Sequence, residues 1–139
     1  MKGSYVLLVE LTDDEIIAVG RMRNICFRGG FYAYVGSAMN GIESRLSYHR
    51  RHNKKPHWHI DYLLQRASIS DIIVCQSDTR EECRIARELS SQYDSIYGFG
   101  SSDCRCQSHL FFSTEGKQMK RAIEVALAPM SMPCTRKSI

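Results

Sequence analysis

The sequence predicts an α+β fold, a small antiparallel β-sheet flanked by helices. Residues 3–37 contain four short runs rich in Val, Ile, Leu and aromatic side chains, each bounded by a polar or glycine-bearing turn. Later segments alternate between apolar residues at helical spacing and short β-branched or aromatic runs. The chain has 139 residues, 43% hydrophobic and 24% charged, which suits one compact core. Residues 1–128 are read as one domain and 129–139, with two prolines and no periodicity, as a disordered tail.

Taken in order, Ser4–Leu11 is a strand that ends in the turn-forming Thr12-Asp13-Asp14, and Ile16–Val19 is its antiparallel return. A turn at Gly20–Asn24 leads to a short strand, Ile25–Arg28. Phe31–Ser37 is aromatic and β-branched enough for a central strand. Asn40 and Glu43 form a capping box for a helix that places Ile42, Leu46 and His49 on one face and ends near Asn53, before Lys55-Pro56. Pro56 opens a second short helix through HWHIDYLLQR. Ile69–Cys75 is a strand, and Thr79–Tyr93 an amphipathic helix with Cys83, Ile85, Ala86 and Leu89 as its apolar positions. A glycine-bearing loop precedes a strand at His109–Ser113, and a helix at Gly116–Ala128 closes the series.

The longest apolar runs are strand-sized, far short of the roughly 20 residues a membrane span needs, so no membrane partner is expected. The N-terminus lacks the pattern of a secretory signal, and the expected location is cytoplasmic. In a reducing compartment the six cysteines are expected as thiols or metal ligands, without a structural disulfide. The net charge of +4 is mild, but its distribution is uneven. Residues 44–60 carry Arg45, Arg50, Arg51, Lys54 and Lys55 with no acidic residue, leaving 14 of the 19 basic residues against all 15 acidic ones elsewhere. Such a patch suits a phosphate backbone, with Arg50, Arg51, Lys54 and Lys55 as nucleic-acid contacts, or else is a solvated helix face.

Gly3-Ser4-Tyr5 on the first strand, Tyr34-Val35-Gly36 on a later one, and Arg45 and His49 on the next helix together resemble the GIY-YIG nuclease superfamily. The longer pattern GSYVLLVEL, YVGSAMNGIESRL, KKPHWHIDYLL and GFGSSDCRCQSHLF is similar to a GIY-YIG-related family of prokaryotic proteins long classed as a domain of unknown function. The resemblance spans residues 3–113. It implies a three-stranded antiparallel core, here with an inserted hairpin, and metal-dependent hydrolysis of phosphodiester bonds in DNA with Mg2+ or Mn2+.

By the same resemblance Tyr5 positions or deprotonates the water, Tyr34 holds the phosphate or assists the water network, Arg45 clamps the phosphate through its planar fork, and His49 donates a hydrogen bond or shuttles a proton. Glu82 is the implied metal ligand, with Glu88 second, although Thr79-x-x-Glu82 also reads as a capping box. The sequence departs from the superfamily pattern in the 28 residues between Tyr5 and Tyr34, room for an extra strand pair.

Three further groups stand out. His57, His59 and Asp61 can extend a nuclease site, or Asp61 can simply pair with a nearby cation. Asp103 lies in a glycine-flanked loop of the kind that lines active sites. Cys104, Cys106 and His109 can be completed by Cys75 or Cys83 as a structural zinc site. The expected function is a DNA endonuclease. The alternatives are a non-catalytic nucleic-acid-binding module with the same fold and a zinc-stabilised interaction domain.

Overall fold

The computed structural model describes residues 1–130 and 134–139. Its eight strands and four helices run in the order β1 (Gly3–Leu11), β2 (Glu15–Val19), β3 (Arg23–Phe27), β4 (Gly30–Ala38), α1 (Ile42–Arg50), α2 (His59–Leu64), β5 (Ser68–Gln76), α3 (Glu82–Ser90), β6 (Asp94–Ser95), β7 (Leu110–Ser113), α4 (Gly116–Leu127) and β8 (Cys134–Lys137). Six strands form one antiparallel sheet in the order β6-β7-β4-β1-β5-β8. The fold is thus α+β, with a sheet wider than the three strands expected. Its three long central strands are β4, β1 and β5.

The hairpin β2–β3 forms a second, two-stranded sheet. β2 is therefore not the return strand of β1: its partner is β3, through pairs such as Ile17↔Ile25. The hairpin folds over one face of the main sheet, where Ile17, Val19, Ile25 and Phe27 join the core around Tyr5 and Leu7. An insertion that buries its own apolar face in this way leaves the pairing of β1 with β4 intact, in register from Gly3↔Ala38 to Leu11↔Gly30.

Alternation along the strands produces two cores. Tyr5, Leu7, Val9, Tyr32 and Tyr34 pack beneath α1 and α2 with Ile42, Leu46 and Ile60. Val6, Leu8, Ala33, Val35 and Phe111 pack against α3 and α4 through Ile85, Leu89, Met119 and Ile123. Two glycines let the central strands carry this load. A side chain at Gly3 would collide with the Cys75 carbonyl of β5, and one at Gly36 would lie 2.5 Å from the Tyr5 ring.

Several helix ends differ from expectation. Gly41 rather than Asn40 precedes α1, with no side-chain cap, and α2 begins at His59, three residues after Pro56. α3 starts at Glu82, with no side-chain cap at Glu81, so the capping-box reading of Glu82 is set aside. Arg84 pairs with Glu81 at 3.1 Å.

The expected disordered tail is corrected by β8, whose Cys134 to Lys137 pair with Cys75 to Ile72 of β5. Residues 131–133 of that tail lie outside the described residues. The expectation of no disulfide is corrected as well: Cys75 and Cys134 face each other across the β5–β8 ladder, with Cα atoms 4.2 Å apart, and are disulfide-bonded. The compartment argument considered redox conditions and left out the strand that brings the two sulfurs together. No helix among the described residues is long and apolar enough to cross a membrane.

Candidate active site

The register Tyr5↔Gly36 and Leu7↔Tyr34 makes the two tyrosines diagonal neighbours on one sheet face, with ring centroids 6.5 Å apart. α1 crosses above them and sets Arg45 and His49 one turn apart on its inner side. A cleft of about 380 Å³ opens where β1 begins and β4 ends. Tyr34, Arg45, His57, His59, Glu82 and Asp103 line it, together with Trp58, Arg80, Gly36, Ser37 and Gly100. The β4 strand, the α1 helix, the start of α2, the first turn of α3 and the loop before β7 thus contribute to one concave surface.

Arg45 is held in place from two sides. Its guanidinium stacks over Trp58 at 4.3 Å from the ring centre and donates a 3.1 Å hydrogen bond to the Ser37 carbonyl. Glu82 has a half-buried side chain whose ion-pair partner, at 3.6 Å, is the exposed Arg80. His59 accepts a 2.9 Å hydrogen bond from the Gly100 amide at Nδ1, so in the neutral ring the proton sits on Nε2. Burial drives the Tyr34 phenol well above its ordinary range, which keeps it a neutral donor at the cleft wall.

Tyr5 and His49 lie just under this surface. The Tyr5 hydroxyl is 2.7 Å from His49 Nε2, and both residues are almost wholly buried. Burial pushes the Tyr5 phenol up to about 12, with the Arg45 guanidinium pulling the other way. Burial likewise lowers the His49 imidazole to about 4, aided by Lys54 and Arg45 and opposed by Asp61. At neutral pH the pair is an uncharged hydrogen-bonded floor, and neither ring lines the cleft.

Asp61 faces away from the cleft. Its Oδ2 accepts from the backbone amides of His57 and Trp58 at 2.7 and 2.8 Å and from the Tyr48 hydroxyl at 3.0 Å, which fixes the start of α2. Lys54 lies 3.7 Å from its Oδ1, with only 8% of the lysine side chain and none of the aspartate exposed. The same ammonium donates to the Tyr48 and His49 carbonyls at the end of α1. Lys54 is therefore corrected from a phosphate contact to an internal cation, and of the two readings of Asp61 the structure takes the pairing with a nearby cation over the site residue.

The rest of the basic patch also stands apart from the cleft. Arg50 donates to the Ser138 carbonyl at 2.6 Å, Arg51 lies over the Tyr48 ring, and Lys55 is exposed. Glu88 is exposed on α3 and does not line the cleft. Sequence reading did not name Arg80 or Trp58 as site residues. Arg80 stands two residues before Glu82, a position that the choice of Glu82 made accessible to inference.

A second cluster lies behind the cleft. Cys83 joins Cys104, Cys106 and His109, with the donor atoms of all four within 4.8 Å of one another, a set that can hold a metal ion. Cys75, the other candidate for completing it, is taken up by its disulfide.

The fold and site define an α+β domain with a polar cleft at the end of its central strands and a thiol–imidazole cluster beside it. The chain belongs to the family described as a domain of unknown function, DUF123, whose family model matches residues 4–132. No curated protein and no solved structure matches the chain.

Proposed function

We propose that the protein is a metal-dependent endonuclease of the GIY-YIG type that hydrolyses phosphodiester bonds in DNA. The observation that supports this reading best is the convergence of Tyr34, Arg45 and Glu82 on one cleft across a long insertion. A phosphodiester needs a cation for the charge that builds on its oxygens, a hydrogen-bond donor beside it and a carboxylate to hold a hard divalent ion. The cleft offers all three.

The donor set fits Mg2+ or Mn2+, because Glu82 is a half-buried carboxylate and Asp103 lines the same cleft, while such ions keep several waters and take one or two carboxylates. When bound, the ion polarises the phosphate and acidifies a coordinated water. Arg45, fixed by Trp58 and Ser37, presents its fork to the non-bridging oxygens. Tyr34, a neutral phenol, donates a hydrogen bond to the phosphate. His59 has Nε2–H as a donor, and His57 stands exposed on the rim. Tyr5 and His49 serve as a neutral floor under Arg45.

The test is cleavage of supercoiled, flapped and single-stranded DNA with Mg2+ or Mn2+. Arg45→Ala and Glu82→Gln are each expected to lower cleavage about 100-fold or more, with binding changed only modestly. Metal-independent cleavage, or full activity in Glu82→Gln, overturns the assignment. Salt-dependent binding without cleavage by the unmodified protein selects the non-catalytic module instead.

A further inference from the structure

The cluster of Cys83, Cys104, Cys106 and His109 is assembled from three separate parts of the chain. Cys83 sits in the first turn of α3, Cys104 and Cys106 in the loop after Gly100, and His109 just before β7. His109 Nε2 lies 3.5 Å from the Cys104 sulfur and 3.9 Å from the Cys83 sulfur. A tetrahedral zinc ion, with Zn–S of about 2.3 Å and Zn–N of about 2.0–2.1 Å, sets neighbouring sulfur and nitrogen donors about 3.5 Å apart. The two sulfur–imidazole distances are therefore already close to the edge of such a tetrahedron, and all four donors lie within 4.8 Å of one another. The fold sorts its cysteines accordingly: Cys75 and Cys134 are joined to each other, and Cys26 is exposed and remote, while the other three meet a buried imidazole.

We propose that Cys83, Cys104, Cys106 and His109 bind a structural zinc ion that ties the first turn of α3 to the loop before β7. Four protein donors leave no open position, so the ion braces the fold and takes no part in hydrolysis. Its placement matters for the cleft nevertheless. Glu82 precedes Cys83 and Asp103 precedes Cys104, so the brace holds the backbone on either side of the cleft's two acidic residues. Soft thiolates select zinc here, whereas the oxygen donors of Glu82 and Asp103 suit a hard ion, and the two sites sort their metals by chemistry.

The test is elemental analysis of the full chain after reduction and exchange into zinc-free buffer, together with Co2+ substitution. About one zinc per chain and the intense visible bands of tetrahedral, thiolate-bound Co2+ are expected. Cys104→Ser is expected to lose most of that zinc and to melt at a lower temperature. Cys26→Ser, outside the cluster, keeps full zinc and also shows that serine substitution as such is harmless. Glu82→Gln keeps full zinc even where cleavage is lost, so failure of the brace and failure of the nuclease reading are separate outcomes. The proposal is overturned by an unmodified protein that neither carries zinc nor takes it up, by iron in equal stoichiometry, or by full zinc retention in Cys104→Ser.

Discussion

On β1, Val6 and Leu8 turn to α3 and α4, while Tyr5, Leu7 and Val9 turn to α1 and α2, and the two sides are built in different ways. The α3/α4 side is a packed apolar layer. The α1/α2 side holds the Tyr5–His49 pair and, at its margin, the Lys54–Asp61 pair, all of them buried. Polar groups at such depth stabilise only while each is satisfied, so this side is sensitive to changes that the other side ignores. The difference shows where the molecule accepts a stability cost to support a cleft.

Removing the buried carboxylate is the most direct way to break the contrast. Asp61→Ala strands Lys54 and frees two backbone amides, and it is expected to cost about 3–5 kcal/mol in chemical denaturation. A loss below about 1 kcal/mol would mean that the α1/α2 side does not depend on this network. Acid comes next. The His49 pKa falls from 6.5 to about 4 on folding, so below 6.5 the unfolded chain takes up a proton that the folded chain refuses. The stability present above pH 6.5 is then lost as pH falls toward 4, to a total of roughly 3 kcal/mol. His49→Gln should flatten that slope.

On the apolar side Ile123→Val is expected to cost about 1 kcal/mol, equally in acid and at neutral pH. A pH-dependent cost there would blur the division between the faces. The smallest effect is expected at the rim, where Arg66 and Glu15 pair at 3.5 Å with the arginine largely exposed. Arg66→Ala should change stability by less than about 0.5 kcal/mol.

The nine-residue strands β1 and β4 were legible because hydrophobic and aromatic residues bounded by turns leave few alternatives. β8 was not: Cys-Thr-Arg-Lys is polar, half-exposed and paired on one side only, so it carries no alternation to read. The pairing of β2 was misassigned for a related reason, since a hairpin with its own partner looks locally like the return of the strand before it. At the site, the order of the tyrosine motifs and Arg45 marked the cleft. Charge counting failed for Lys54, because a lysine that ends a helix and meets a buried carboxylate looks in sequence like any solvated one. Cys83 was a weighed alternative in the thiol cluster, and the topology decided it over Cys75.

Both edge strands of the main sheet are short, two residues in β6 and four in β8, while the nine-residue strands lie inside. A long uncovered strand edge is a template for another chain, and Ile72-Ile73-Val74 of β5 would be one. β8 covers those three residues and presents charge outward, with Arg136 paired to Asp71 and Lys137 to Glu43. The Cys75–Cys134 bond bolts this guard to the strand it protects. Reductant strong enough to open that bond would therefore act as a control on self-association, by letting the guard strand lift and exposing an apolar edge to a second copy of the chain.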